Sequence, residues 1–159
     1  MTMTRWLVFP ALAALLAFAA CCNKDDKTNT PKIKPAEHGH PEEGPHGGAL
    51  AEWGDDDEYH LEFTVDHKTQ EATVYVLDGT GKKTKPIKNK DLTLTLKQTP
   101  AVTVKLVAKP DKDDPVGTSS RFVGKHEALG KVQEFQGTIG GELNGEQRVG
   151  DFAEKAHAH

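Results

Sequence analysis

The stretches YHLEFTVD (residues 59–66) and EATVYVLD (residues 71–78) decide the fold of this 159-residue chain. In the first stretch large apolar residues occupy every second position, the pattern of a half-buried β-strand. The apolar face holds Tyr59, Leu61, Phe63 and Val65, and the opposite face holds His60, Glu62 and Thr64. The short polar connection HKTQ between the stretches suits a hairpin, so the pair predicts two adjacent antiparallel strands.

The same alternation continues downstream in short segments that turns separate. The further predicted strands are DLTLTLKQ (91–98), AVTVKLVAK (101–109), RFVGK (121–125) and KVQEFQGTIGGELNGEQ (131–147). Asp-Gly and Thr-Gly pairs in LDGTGKK (77–83) predict a turn, and the glycines of 131–147 indicate bulges or close backbone approach. Six or seven short strands without an amphipathic helix predict an all-β fold, a single small antiparallel β-sandwich or open barrel over residues 46–152.

The N-terminus has the pattern of an export signal. Arg5 precedes an apolar run from Trp6 to Ala20, and small residues lead into Cys21. This run is shorter than the about 20 residues that a membrane-spanning helix needs. Phe18-Ala19-Ala20-Cys21 resembles a bacterial lipobox, which implies cleavage after residue 20 and a lipid anchor on Cys21. The alternative is an ordinary secreted protein.

Residues 21–45 carry almost no large apolar side chains and are rich in Lys, Asp, Thr, Pro and Glu. Such a segment cannot bury enough surface to fold, so it is predicted to be a disordered tether. The only cysteines are Cys21 and Cys22, which excludes an internal disulfide and a thiolate site from the downstream domain. Without residues 1–20 the chain has 19 basic and 24 acidic residues, a net charge near −5 that argues against nucleic acid as a partner.

Eight histidines give the main chemical signal. Imidazoles are good ligands for Cu(II), Zn(II) and Ni(II), and carboxylates can complete such sites. The candidate metal ligands are His38, His40, His46, His60, Glu62, and His157 and His159 of the flexible tail 153–159. The competing interpretation is that the histidines before the domain are solvated spacer residues, and that His60 and Glu62 are surface residues. If the GPHGG segment (44–48) covers that strand face, His46 and His60 could converge.

Signatures of catalysis are absent from the sequence. It contains no G-x-S-x-G elbow, no H-E-x-x-H helix, no P-loop and no dinucleotide-binding glycine pattern. The acidic run Asp55–Glu58 lacks the spacing of an EF-hand loop. We therefore expect a protein that is not an enzyme.

Residues 44–87 resemble two groups of proteins. A His-Gly-Gly stretch followed by a strand with an internal glutamate and a strand like VYVLD is similar to the N-terminal part of periplasmic adaptor subunits of heavy-metal efflux pumps. The order HGG (46–48), YHLE (59–62), VYVLD (74–78) and GDF (150–152) also resembles small exported lipoproteins of planctomycete-like bacteria. The helical hairpin and lipoyl-like regions of the adaptors have no counterpart, so the resemblance implies only a small β-domain with a metal connection.

Together these features predict a membrane-anchored lipoprotein of the bacterial cell envelope. Its expected role is a non-catalytic binding or accessory module that binds a transition metal. The alternative is a protein-interaction domain that binds an envelope protein through a sheet face or edge and has no metal role.

Overall fold

Eight antiparallel strands form the fold of the part of the chain that the structure describes. The computed structural model describes residues 43–54 and 58–154. The predicted signal peptide, Cys21 and most of the tether, with His38 and His40, lie outside the described residues, as do His157 and His159. Within the described ranges, no helix is long and apolar enough to cross a bilayer.

The strands join into one sheet. Their bounds are β1 Ala49–Trp53, β2 Tyr59–Asp66, β3 Glu71–Asp78, β4 Asp91–Leu96, β5 Val102–Ala108, β6 Arg121–Lys125, β7 Phe135–Leu143 and β8 Glu146–Glu154, with a short 3-10 helix at Glu127–Gly130. The sheet order is β1-β2-β3-β6-β5-β4-β7-β8, and it curls until β8 lies against β1. The all-β antiparallel prediction is confirmed, and the arrangement is a nearly closed barrel.

The alternating sequence pattern located most strands correctly. β2, β3 and β6 have the predicted bounds, and β4 and β5 lie inside the predicted segments. The predicted strand region 131–147 instead holds β7 and the start of β8, because Asn144 and Gly145 make a hairpin turn between them. Both turn residues have positive φ, 53° and 86°, the conformation for which Asn-Gly is the preferred pair.

The inward side chains of the strands form one apolar core. Phe63 of β2 stacks on Phe152 of β8 with ring centroids 4.4 Å apart, and Phe135 of β7 meets Phe63 edge-on at 6.3 Å. Leu129 of the 3-10 helix is fully buried against this cluster. Because complete burial of each such side chain contributes about 1.5–3 kcal/mol, these contacts across the barrel hold β8 against β2.

Two glycines, Gly137 and Gly150, allow the strands to approach closely, and close approach was predicted for the first of them as one of the glycines of 131–147. A Cβ at Gly137 would lie 2.3 Å from the carbonyl oxygen of Thr95. In β8, a Cβ at Gly150 would lie 2.6 Å from the carbonyl oxygen of Glu52 and 3.3 Å from Cβ of Ala51. Gly150 therefore lets the last strand pack against the first and close the barrel.

We predict that Gly150→Ala destabilises the barrel, because the added methyl group must push β8 away from the backbone of β1. Overpacking of this kind costs about 1–3 kcal/mol, so the thermal midpoint should fall by several degrees. Gly140→Ala is the matched control, because its Cβ would meet nothing closer than Cγ2 of Val149 at 3.6 Å. Equal melting temperatures for the two variants, measured by circular dichroism, would contradict this account of closure.

Candidate functional site

The outward side chains of His60 and Glu62 in β2 are buried, so the prediction that this strand is half-buried was wrong at these two positions. His60 is 1% exposed and Glu62 is 0% exposed. Residues 43–48, which we call the strap, cover Glu62, and residues 78–84, which we call the cover loop, lie over His60. The face predicted to be exposed to water is instead the inner side of a second, polar layer.

The strap follows the surface of β2 because its glycines have no side chains. A Cβ at Gly44 would lie 2.3 Å from Cδ of Glu62, and a Cβ at Gly48 would lie 2.2 Å from the carbonyl oxygen of Phe63. The Gly44 N–H donates to the Gly48 carbonyl at 2.9 Å, and the Gly47 N–H donates to the Gly44 carbonyl at 3.0 Å. The sequence GPHGG thus encodes a tight turn that lies flat on the strand.

Glu62 is the acceptor that holds the strap. Its Oε1 accepts the backbone N–H of His46 at 2.6 Å and that of Gly48 at 3.0 Å. Its Oε2 lies 2.6 Å from Nδ1 of His46. A carboxylate removed from water is costly unless it is hydrogen-bonded, and all three donors come from the strap.

The same contact fixes the orientation of the His46 ring. Because an ionised carboxylate only accepts hydrogen bonds, Nδ1 carries the proton, and in the neutral ring Nε2 holds the free lone pair. The ring stacks on Tyr75 of β3, with centroids 3.7 Å apart and an interplanar angle of 6°. The side chain is 37% exposed, and no described residue hydrogen-bonds to Nε2. His46 therefore offers an oriented nitrogen donor at the surface.

His60 lies beside this site but is enclosed by the cover loop. Its Nδ1 is 3.3 Å from the carbonyl oxygen of Asp78, and a Cβ at Gly81 would lie 3.7 Å from its ring. The Asp78 carboxylate holds the loop by accepting the Thr80 hydroxyl at 2.6 Å and the N–H of Lys82 at 3.3 Å. The Thr80 hydroxyl, helped by the backbone N–H groups, lowers the pKa of Asp78, so this anchor is ionised at neutral pH.

The structure thus assigns different roles to the three candidate ligands that it describes. His46 is oriented and partly exposed, whereas Glu62 is inaccessible and its oxygens already accept three donors. Glu62 thus holds the strap and orients His46 through these bonds, and its role as a metal ligand stays a prediction. His60 is buried under the cover loop. His46 pairs with Glu62, whereas Nδ1 of His60 contacts the carbonyl oxygen of Asp78.

The described residues do not form a complete metal cage. Within residues 43–54 and 58–154, no three His, Cys, Asp or Glu side chains are grouped so that they could hold a metal ion. The positions of His38, His40, His157 and His159 lie outside that part of the chain. What the described site can offer is a single imidazole whose tautomer and rotation are fixed, which is the usual state of a histidine ligand backed by a carboxylate.

Two other polar features lie elsewhere on the barrel. Burial raises the pKa of Glu154, at the end of β8, to about 7, and its register partner is Phe135. A groove of about 530 Å³ runs beside the start of β4 and the β7–β8 hairpin, and its walls include Lys88, Lys90 and Glu142. Neither feature includes a residue of the strap or its carboxylate anchor.

Sequence reasoning missed Tyr75 and Asp78 as parts of the site. Tyr75 is the register partner of Glu62, and directly opposite residues in antiparallel strands share a face. The predicted β2–β3 hairpin therefore contained the information that places the Tyr75 ring beside Glu62. The signal that points to the strap is the three glycines that flank Pro45-His46, with Gly44 before it and Gly47-Gly48 after it.

Comparisons with protein-family models, with curated proteins and with solved structures found no match. The function is therefore inferred from the geometry of the site.

We predict that Glu62→Gln reverses the tautomer of His46. The side-chain amide oxygen in this variant should still accept the backbone N–H groups of His46 and Gly48, which places the amide NH₂ group beside Nδ1 of His46. Because the NH₂ group donates, Nδ1 becomes an acceptor and the ring proton moves to Nε2. Loss of the charge-assisted bonds should also lower the free energy of unfolding by about 1.5–3 kcal/mol.

Nitrogen-15 chemical shifts of the His46 ring measure the tautomer directly. Glu71→Gln is the control, because Glu71 is the first residue of β3, away from the strap, and pairs with Lys125. An Nδ1–H ring in both the parent and Glu62→Gln would show that the carboxylate does not set the tautomer.

Proposed function

We propose that this protein is a non-catalytic binding module of the bacterial cell envelope that binds a transition-metal ion through Nε2 of His46. The observation that carries the proposal is the 2.6 Å contact between His46 Nδ1 and the fully buried Glu62. It leaves Nε2 as the donor atom, with its ring held in one orientation.

The chemistry of the donor favours borderline divalent ions. A histidine ligand to a metal commonly donates its other ring N–H to a carboxylate, which fixes the ring and raises the basicity of the ligating nitrogen. Zn(II), Cu(II) and Ni(II) are the ions that imidazole suits. Stacking of His46 on Tyr75 restricts ring rotation before binding, so less conformational entropy is lost when the metal arrives.

The affinity is expected to be modest, because the described residues contribute one oriented ligand. We propose that His38 and His40 add further imidazoles, since His40 precedes His46 by six positions in the sequence and a chain spans at most about 3.3–3.6 Å per residue. The His157 and His159 pair is a second source. A site assembled in this way would hold an exchangeable ion and not a permanent cofactor.

The location of the module is proposed from the N-terminal sequence. Cleavage after Ala20 and lipidation of Cys21 would attach the chain to a membrane, and residues 22–42 would connect the anchor to the strap. In this arrangement the tether enters the barrel at Glu43, within three residues of His46. Metal binding would therefore take place where the tether meets the folded domain.

The alternative function is a protein-interaction domain with no metal role. Pairing of a partner along a sheet edge is poorly supported, because the edge strands β1 and β8 pack against each other at Gly150. The exposed Val107 and Val149 are single apolar residues on the sheet, which need no functional explanation. The metal experiment below separates the two functions.

We predict that Zn(II), Cu(II) or Ni(II) stabilises the chain from Asn23 to His159, and that His46→Ala removes most of this effect. This chain lacks both cysteines and keeps the strap and every strand of the barrel, the first of which begins at Ala49. A metal that binds only the folded state should stabilise it by about 2.7 kcal/mol at a hundredfold excess over the dissociation constant. Calorimetric titration and thermal melting measure binding and stabilisation, respectively.

The control for this experiment is His126→Asn. His126 caps the 3-10 helix by accepting the Ala128 N–H at 3.1 Å. Asn is one of the preferred N-cap residues, so this change should remove an imidazole and keep the cap. The double variant His38→Ala/His40→Ala should weaken binding without abolishing it. No heat and no change in melting with any of the three metals would reject the metal function and favour the protein-interaction domain.

We predict that Cys21→Ser leaves the full-length protein without its lipid and uncleaved by the lipoprotein-processing peptidase. Serine has no thiol to acylate, and the adjacent Cys22 falls in a poorer cleavage context. Mass spectrometry of the membrane fraction measures the modification, with Cys22→Ser as the matched control. A normally lipidated Cys21→Ser product would place the anchor at another residue.

A further inference from the structure

The strap contains the donor set of a second, different metal complex. Cu(II) and Ni(II) favour planar arrangements of nitrogen ligands, and beside a histidine they can displace the protons of peptide amides. Pro45 has no N–H, so a chelate anchored on His46 must extend toward the C-terminus. Its donors would be Nδ1 of His46 and the amide nitrogens of Gly47 and Gly48.

In the folded chain each of these three nitrogens is already in use. Nδ1 of His46 donates to Oε2 of Glu62 at 2.6 Å, and the Gly48 N–H donates to Oε1 of the same carboxylate at 3.0 Å. The Gly47 N–H donates to the carbonyl oxygen of Gly44 at 3.0 Å. A planar chelate would have to break all three hydrogen bonds.

We propose that Glu62 determines metal specificity, because it prevents the amide chelate from forming and restricts His46 to ligation through Nε2. This inference rests on the proposed function of His46 as a metal ligand. Glu62 engages two of the three chelate nitrogens, and it is buried, so losing those donors would leave a carboxylate out of water with the His46 backbone N–H as its one remaining strap donor. The docked strap therefore favours an ion that accepts separate imidazoles in a tetrahedral shell, as Zn(II) does.

The proton balance makes the two binding modes measurably different. Ligation by Nε2 of the neutral ring releases no proton from the strap. The chelate forms one bond from the metal to Nδ1 and two metal–amide nitrogen bonds. The proton on Nδ1 moves to Nε2 of the same ring, the N–H bonds of Gly47 and Gly48 break, and the two amide protons pass to the solvent. No oxidation or reduction is involved, so the metal remains divalent in both modes.

The test uses Cu(II) as the probe, on residues 23–159 with His38, His40, His157 and His159 changed to alanine. In this parent, we expect visible and electron paramagnetic resonance spectra of copper bound to a single imidazole at His46. In Glu62→Ala we expect the visible band to move to shorter wavelength, additional nitrogen couplings, and release of the two amide protons in a pH-stat titration.

A second variant should also release the strap, but it keeps the Glu62 carboxylate. Gly44→Ala places a methyl group 2.3 Å from Cδ of Glu62, so it should lift the strap without altering any chelate donor. It should give the same spectral shift as Glu62→Ala, and adding His46→Ala to either variant should abolish it. Glu71→Ala is the control carboxylate and should behave like the parent.

The outcomes separate the inference from the function on which it rests. If the parent already shows the amide chelate, the specificity role of Glu62 is overturned, although metal binding at His46 stands. If residues 23–159 with all their histidines bind neither Zn(II) nor Cu(II) while both variants form the chelate, the role of Glu62 in blocking the chelate is supported and the proposed function fails. If hydrogen exchange shows the strap released in both variants and no chelate forms, the inference is overturned.

Discussion

The buried carboxylate of Glu62 is the constraint on which the functional surface depends. An ionised group with no exposed area is tolerated only where donors surround it, and here the donors are two backbone N–H groups and one imidazole of the strap. Docking of the strap therefore compensates the charge of Glu62, and the charge in turn fixes His46. The flanking glycines belong to the same constraint, because a Cβ at Gly44 or Gly48 would prevent the approach.

Much of the fold could be predicted from the sequence, because a strand with an apolar core face and polar residues on its other face shows a period of two. β2, β3 and β6 show this, since the same apolar period that defines each strand also defines its bounds. β8 was missed because its two large apolar residues, Val149 and Phe152, face opposite sides of the sheet and leave no period of two. The choice between barrel and sandwich was also out of reach, because it depends on the approach of β8 to β1 at Gly150, far apart in sequence.

The candidate site was only partly predictable. His46 could be identified as the histidine where the ordered domain begins, and the possibility that GPHGG covers the β2 face followed from its position in the chain. Whether it does so cannot be decided locally, because alternation assigns His60 and Glu62 to a polar face and says nothing about what lies over that face. The correction is physical: cross-strand Tyr75 and the strap turn that face into an interior, where a carboxylate needs partners and not water.

The structural and metal-binding interpretations of the strap describe the same contact. A metal ion bound to Nε2 of His46 would make Nδ1–H a stronger donor and strengthen its hydrogen bond to Glu62. Metal binding through Nε2 and docking of the strap would therefore favour each other, and this coupling is reciprocal. A metal that instead takes Nδ1 and the glycine amides competes directly with Glu62, so its binding and strap docking oppose each other. One carboxylate thus gives opposite signs to the two couplings. The sign of the coupling between metal binding and strap docking depends on which ring nitrogen of His46 faces Glu62. The fold sets this orientation, and it cannot be predicted from the composition of the histidine-rich segment.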